Sequence, residues 1–213
     1  MKVVLTAGGP ASELPDFSLL PDALFIGVDA GTVTLLEKGI KPAAAVGDFD
    51  SVSKQQLENI KELFPNLELA AAEKDQTDTE LALEKAISYN PETIIITGVT
   101  GGRLDHYMSA LHAIYAFHQK YPETSFFLIN KQNRIRFLNA GSHEIKRDSR
   151  YRFISFYPFA QEISGFTLTG FKYEVSNETI PFGSTRFISN ELEQAGTVSF
   201  TEGNCIMIES SDE

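Results

Sequence analysis

The chain has 213 residues, 42% hydrophobic and 22% charged. That is enough apolar material for a buried core in one large or two small domains, and it argues against wholesale disorder. The formal net charge of -11 is uneven: residues 1–130 carry 18 acidic and 9 basic side chains, residues 131–213 carry 11 and 9. Such a balance argues against non-specific nucleic-acid binding, which needs a Lys/Arg surface to displace phosphate counterions. It suits a site that recruits a cation.

In chain order, the first element is an apolar strand over residues 2–6 that runs into Ala7-Gly8-Gly9. It is too short and too poorly flanked for a signal peptide, and no stretch approaches the roughly 20 apolar residues that span a bilayer. A cytoplasmic protein without membrane contact is expected. A second strand, 24–28, runs into Asp29-Ala30-Gly31 and a helix from near Thr32 to Lys38, stopped by Gly39. A third strand, 43–46, ends in Gly47-Asp48-Phe49-Asp50-Ser51, and a fourth is expected at 67–70. Thr77-Asp78-Thr79-Glu80 reads as a capping box opening a helix to about Ser88. Strand 93–97 leads into Gly98-Val99-Thr100-Gly101-Gly102-Arg103. Leu104, Met108, Leu111 and Tyr115 then recur at helical spacing to about Lys120, and strand 125–129 follows.

Runs that are apolar on both faces and separated by helices predict a Rossmann-like parallel sheet flanked by helices, in a domain covering residues 1–130. From Lys131 the pattern changes to short, aromatic-rich, alternating strands. Tyr151, Phe153 and Ser155 face one way; Arg152, Ile154 and Phe156 face the other. Glycines at turn spacing and the lack of a helical pattern predict an all-β sandwich over 131–213. The fold class is therefore α/β plus all-β. Cys205, the only cysteine, can form neither an intramolecular disulfide nor a cysteine-based zinc site. Within the run Cys205-Ile206-Met207-Ile208 it reads as a buried strand residue.

In an open parallel sheet, ligands bind beyond the carboxyl ends of the strands, and here those ends gather glycines and carboxylates. Asp48 and Asp50 are two apart, so in extended chain both reach the same side and one cation. Carboxylates in small number, completed by waters and substrate phosphates, suit Mg²⁺. Alone, the same pair is a polar turn in which Asp50 or Ser51 caps the next helix; the strand-end setting favours the metal. The segment 73–78 precedes a helix, where amides and dipole favour an anion. Asp78 can join the metal site, and Thr77 can cap the helix, bind phosphate, or both. In the loop 98–103, Gly98, Gly101 and Gly102 let the backbone approach a polyphosphate, and Arg103 can make a bidentate phosphate contact. Asp105 and His106 offer a hydrogen-bonding pair, with a structural role for His106 equally open. No Gly-x-x-x-x-Gly-Lys-Ser/Thr sequence occurs, so this is no standard P-loop.

The ordered set resembles the thiamin pyrophosphokinase family. Its members are Val28-Asp29-Ala30-Gly31, Lys41-Pro42 with Gly47 to Ser51, Asp75-Gln76-Thr77-Asp78, Gly98 with Gly101 to His106, and Gly183-Ser184-Thr185 with Ser189-Asn190-Glu191. The resemblance spans nearly the whole chain. It implies Asp48, Asp50 and Asp78 as Mg²⁺ ligands with Asp75 in support. It implies Asp29, Gly31, Gly98, Arg103, Asp105 and His106 as ATP contacts, and Ser189 and Asn190 as a thiamin-binding turn. It also implies a homodimer with shared active sites. The chain has no tryptophan, which some relatives place over the thiamin ring, and Ile206 or Met207 is the expected substitute. The implied reaction is attack of the thiamin hydroxyl on the β-phosphorus of ATP, releasing AMP. Two other readings stand beside it: a diphosphokinase for another alcohol such as a pterin, and a non-catalytic nucleotide- or thiamin-binding sensor.

Overall fold

Among the described residues, the apolar runs of the first half form parallel strands whose central residues are mostly buried on both faces. In the computed structural model, residues 1–65 and 75–212 are described; the strand expected at 67–70 lies outside them, as do Glu73 and Lys74. The chain divides into two units, Met1–Lys131 and Gln132–Glu213.

In the first unit the strands are β1 (Lys2–Thr6), β2 (Leu24–Val28), β3 (Ala44–Val46), β4 (Thr93–Thr97) and β5 (Ser125–Ile129). They pair in parallel in the order β3-β2-β1-β4-β5. The central strand β1 is covered on both faces, Val3 and Val4 being fully buried and Leu5 nearly so. Helix α1 (Ala30–Glu37) starts directly after β2, with Asp29 as its only preceding joint. That close approach requires Gly31, where a β-carbon would collide with the Thr6 carbonyl. Gly39 at φ 73° ends the turn after α1, as expected.

Helix α2 (Lys54–Leu63) carries a full capping box between Ser53 and Gln56, so the cap is Ser53 rather than Asp50 or Ser51. Helix α3 (Asp78–Ile87) carries the box expected between Thr77 and Glu80. Helix α4 (Leu104–Lys120) buries Leu111, Ile114 and Phe117, while Leu104 and Met108, on the same helical row as Leu111, stay exposed. Val4, Leu35, Phe25 and Ile95 form the centre of an apolar cluster on one face of the sheet. Truncating the fully buried Leu35 to alanine is worth about 2–5 kcal/mol.

The second unit is antiparallel: β6 (Asn133–Lys146), β7 (Phe153–Pro158), β8 (Ile163–Phe171), β9 (Val175–Ile180) and β10 (Leu192–Ser210). The 19-residue β10 is its spine. It pairs with β6 along most of its length, with β8 over its first half and with β7 over its second. The register shifts between Phe200 and Asn204, where Gly203 takes φ 98°, and this irregularity separates the two halves. Both halves feed one core: Val198 and Phe200 from the first, Cys205 and Met207 from the second. Phe166 meets Phe156 and Phe187 edge to face at 5.6 and 5.1 Å. Cys205 is fully buried, and burial pushes its thiol up to about 12.

One corner of this unit is ionic. Arg134 donates from Nε and Nη2 to the two oxygens of the buried Glu209, both at 2.5 Å, and from Nη1 to Asp148 at 3.0 Å. Arg150 also binds Asp148, and the Tyr151 ring lies 5.1 Å from the Arg134 guanidinium. Hydrogen bonding from Arg150, with both guanidinium charges alongside, holds the Asp148 carboxyl down at about 2.

Candidate active site

The carboxyl ends of β1 to β4 open on one cleft of about 790 Å³ in the first unit. Two of its walls are bare backbone. The Ala7 and Gly9 amides donate to the Thr97 and Gly98 carbonyls at 2.8 and 2.7 Å, which locks the loop after β1 to the loop after β4. A β-carbon on Gly9 would strike the Gly98 carbonyl, and one on Gly98 would strike that of Ala7. The two loops can lie this close only as glycines, and they present peptide groups rather than side chains to a ligand.

The third wall is acidic. Carboxylate oxygens of Asp29, Asp48 and Asp78 all lie within 4.8 Å of one another, each residue half-buried. Asp29 ends β2, Asp48 follows β3, and Asp78 opens α3, so three separate elements meet here. Burial, with the charges of Asp78 and Asp48 beside it, pushes the Asp29 carboxyl up to about 7, against the lowering effect of the Phe49 amide. At this spacing the ionised carboxylates repel one another. Three hard oxygen donors under mutual repulsion fit a divalent cation such as Mg²⁺.

Of the expected metal trio, Asp48 and Asp78 come together with Asp29, while Asp50 is exposed and lines the same cleft beside them. Between Asp48 and Asp50 stands Phe49, whose φ of 58° takes the chain out of the extended form. Asp48 and Asp50 both line the cleft, but across a turn rather than along an extended strand. The Asp50 amide turns back onto Asp48 Oδ1 at 3.1 Å. Asp75 is exposed and precedes Gln76, Thr77 and Asp78, which line the cleft.

Thr77 lines the cleft, but its hydroxyl and amide are both engaged by Glu80 in the capping box. Gly98, Gly102, Arg103, Asp105 and His106 line the cleft as well. Gly101 does not: its φ is 80°, and a β-carbon there would crowd Glu13. Gly31 sits buried under the Thr6 carbonyl, so its role is to admit α1 rather than to touch a ligand. Arg103 forms a two-point ion pair with Asp105, at 3.1 and 2.5 Å. That bond holds the Asp105 carboxyl down at about 2 and raises Arg103. Both are exposed, so a phosphate entering the cleft can exchange for the carboxylate at small cost.

Sequence reasoning did not single out Asn130, buried at the end of the unit, whose Nδ2 donates to Thr100 Oγ1 at 3.1 Å and steadies the loop after β4.

In the second unit, Ser189 and Asn190 form a tight turn with Ser189 at φ 56°. The Ser189 amide donates to Ser155 Oγ at 3.0 Å. Asn190 is buried, and its carboxamide is taken up internally. Oδ1 accepts the amides of Tyr173 and Glu191, and Nδ2 donates to the Tyr173 carbonyl. Asn190 therefore shapes the turn, and the exposed Ser189 is the residue the turn presents. Met207 is fully buried in the core and Ile206 is 9% exposed, so neither offers a face to stand in for a ring-covering tryptophan.

Among the described residues no helix is long and apolar enough to cross a membrane. The family model for the thiamin pyrophosphokinase catalytic domain matches residues 19–126, and the model for the thiamin pyrophosphokinase vitamin B1 binding domain matches residues 142–205. A thiamine pyrophosphokinase of Bacillus subtilis is 46% identical over 218 residues, with both chains covered in full. The crystal structure of thiamine pyrophosphokinase from Bacillus subtilis superposes with a TM-score of 0.93 at 44% identity over all of both chains. That of a thiamin pyrophosphokinase from Geobacillus thermodenitrificans does so with 0.89 at 40%, covering 100% of this chain and 99% of the other.

Proposed function

The chain belongs to the thiamin pyrophosphokinase family, and from that premise we propose how its residues move pyrophosphate from ATP to the thiamin hydroxyl, giving thiamin diphosphate and AMP. The observation that carries the reading is the convergence of Asp29, Asp48 and Asp78 beside two loops of bare backbone. In this reading residues 1–130 are a Rossmann-like domain for ATP and Mg²⁺. Residues 131–213 are a β-sandwich that receives thiamin at the Ser189 turn and forms a homodimer with shared active sites. The apolar surface of Leu104 and Met108 at the start of α4 supports such a contact. The protein is read as cytoplasmic.

Mg²⁺ would be held by Asp48, Asp78 and Asp29, with Asp50 at the rim, and when bound would supply positive charge against the polyphosphate oxygens. The chain's own part is mostly positioning. The peptide groups of the Gly8-Gly9 and Gly98 loops line the polyphosphate, and Arg103 leaves Asp105 to grip it. His106 and Asp105, exposed at the start of α4, face the nucleotide. The thiamin hydroxyl attacks the β-phosphorus in line. A new O–P bond forms as the bond from the β-phosphorus to the bridging oxygen breaks, and AMP departs with that oxygen. The hydroxyl proton passes to a cleft carboxylate.

Incubation of the protein with ATP, thiamin and Mg²⁺, with both products resolved, tests this. AMP and thiamin diphosphate in equal amounts are expected; ADP with thiamin monophosphate would overturn the transfer step. The vitamin B1 binding match over residues 142–205 disfavours another acceptor alcohol.

A further inference from the structure

Asp29 does more at the cleft than add a third carboxylate. Its backbone has φ 46° and ψ -125°, a conformation that side-chain-bearing residues rarely adopt. It is tied down on both sides: its amide donates to the Val46 carbonyl at 2.9 Å, and its carbonyl accepts from the Thr32 amide at 2.9 Å. Its Oδ1 then accepts the Phe49 amide at 3.1 Å, across the gap between the ends of β2 and β3. Gly47 is what leaves that gap open, since a β-carbon there would collide with Asp29 Oδ1, and its φ of 138° suits glycine alone. On the far side Phe49, also in the left-handed region at φ 58°, is 2% exposed and pins the loop into the core. Asp48 thus sits between a glycine that makes room for the Asp29 carboxylate and a phenylalanine whose amide is held by it.

We propose that Asp29 is a positioning residue for Asp48: its Oδ1 latches the Phe49 amide through the opening at Gly47 and so holds the Asp48 carboxylate toward Asp78. This rests on the reading that the trio takes a divalent cation. The latch accounts for three positive-φ residues, Asp29, Gly47 and Phe49, meeting in one contact. It also gives Gly47 and Phe49, which carry no chemistry of their own, a role in metal affinity. Asp29 Oδ1 accepts from the loop, and the same carboxylate belongs to the cluster.

The test is Gly47→Ala, which removes no carboxylate and no charge, set beside Asp48→Asn. Mn²⁺ binding to the nucleotide-free protein is followed by loss of the free-ion signal in electron paramagnetic resonance, with circular dichroism as the check on folding. The latch predicts that folded Gly47→Ala binds Mn²⁺ about 10–100-fold more weakly than the parent chain, with Asp48→Asn weakened at least as much. Turnover falls with it, and KM for thiamin stays within about threefold, because only metal placement is disturbed. Folded Gly47→Ala with undiminished Mn²⁺ affinity would overturn the proposal. Undiminished affinity in Asp48→Asn would instead remove the metal reading beneath it, and the two failures are told apart by that control. Should Gly47→Ala not fold, Asp29→Asn and Asp29→Ala decide the matter. Asparagine keeps the acceptor for the Phe49 amide, so it should bind Mn²⁺ about tenfold more tightly than alanine; equal losses in both overturn the latch.

Discussion

Both units bury carboxylates, and they treat them in opposite ways. In the β unit, Glu209 and Asp148 close on Arg134, with Arg150 and Tyr151 around them, and Asp148 is held at about 2. In the α/β unit, Asp29, Asp48 and Asp78 crowd together, no guanidinium or ammonium among the described groups is paired to Asp29 or Asp48, and Asp29 is driven up to about 7. The first arrangement spends its charges on holding strands together. The second leaves them in mutual conflict, which the proposed cation would relieve. A carboxylate's pKa direction thus separates a girder from a binding site within one chain.

The sharpest way to break this comparison is to neutralise one carboxylate of the crowded set. Asp48→Asn is expected to lower turnover by about 10²–10³-fold while the melting temperature without metal holds or rises; near-parental activity would take Asp48 out of the site. The matching cut in the β unit has the reverse signature. Arg134→Met strands Glu209 in the core and should destabilise by about 3–5 kcal/mol in denaturant unfolding, with kcat per folded molecule nearly kept. If the loss is under about 1 kcal/mol, the ionic corner is not a girder.

pH resolves the two sets without any mutation. Asp29 has a folded pKa of about 7 against roughly 3.9 unfolded, so the folded state holds the extra proton between these values. Its stabilising contribution to the metal-free protein is present below about pH 4 and is lost as pH rises toward 7. Asp148, at about 2 folded, contributes above about pH 4 and loses that contribution as pH falls toward 2. Melting curves taken across this range should show both slopes. Asp29→Asn should flatten the first and raise the neutral-pH melting point by a few degrees, on the order of 1–2 kcal/mol. The smallest effect is expected from Asp148→Asn, confined to the acid limb.

Most of the fold could be read from the chain because its signals are local. Apolar runs place the five described strands of the first unit to within a residue, the run at 67–70 lying outside the described residues, and the Thr77–Glu80 box marks the start of α3. What could not be read depends on contacts between distant segments. The register Val28↔Val46 brings Asp29 beside Gly47, 18 positions later, and no spacing rule announces it. The alternation that pairs Asp48 with Asp50 takes the chain as extended, whereas the left-handed Phe49 puts a turn between two residues that both line the cleft. Several residues between 50 and 53 could have capped α2; Gln56 selects Ser53 by answering it from the third helical position. The sequence does not show that the Asn190 carboxamide is also bound to the backbone at Tyr173 and Glu191, because those partners meet only in the fold. Leu104 and Met108 follow the helical period of the core yet stay exposed, since period alone does not say where the core stops.

Cys205 turns the β unit into its own unfolding sensor. It is the chain's only thiol, it is fully buried, and burial pushes it up to about 12, so attack by a disulfide reagent at neutral pH must wait for the strands to part. The rate at which native protein is labelled therefore counts openings around β10 one molecule at a time. A substrate that tightens that unit would slow the count, giving a readout of binding that needs no engineered probe.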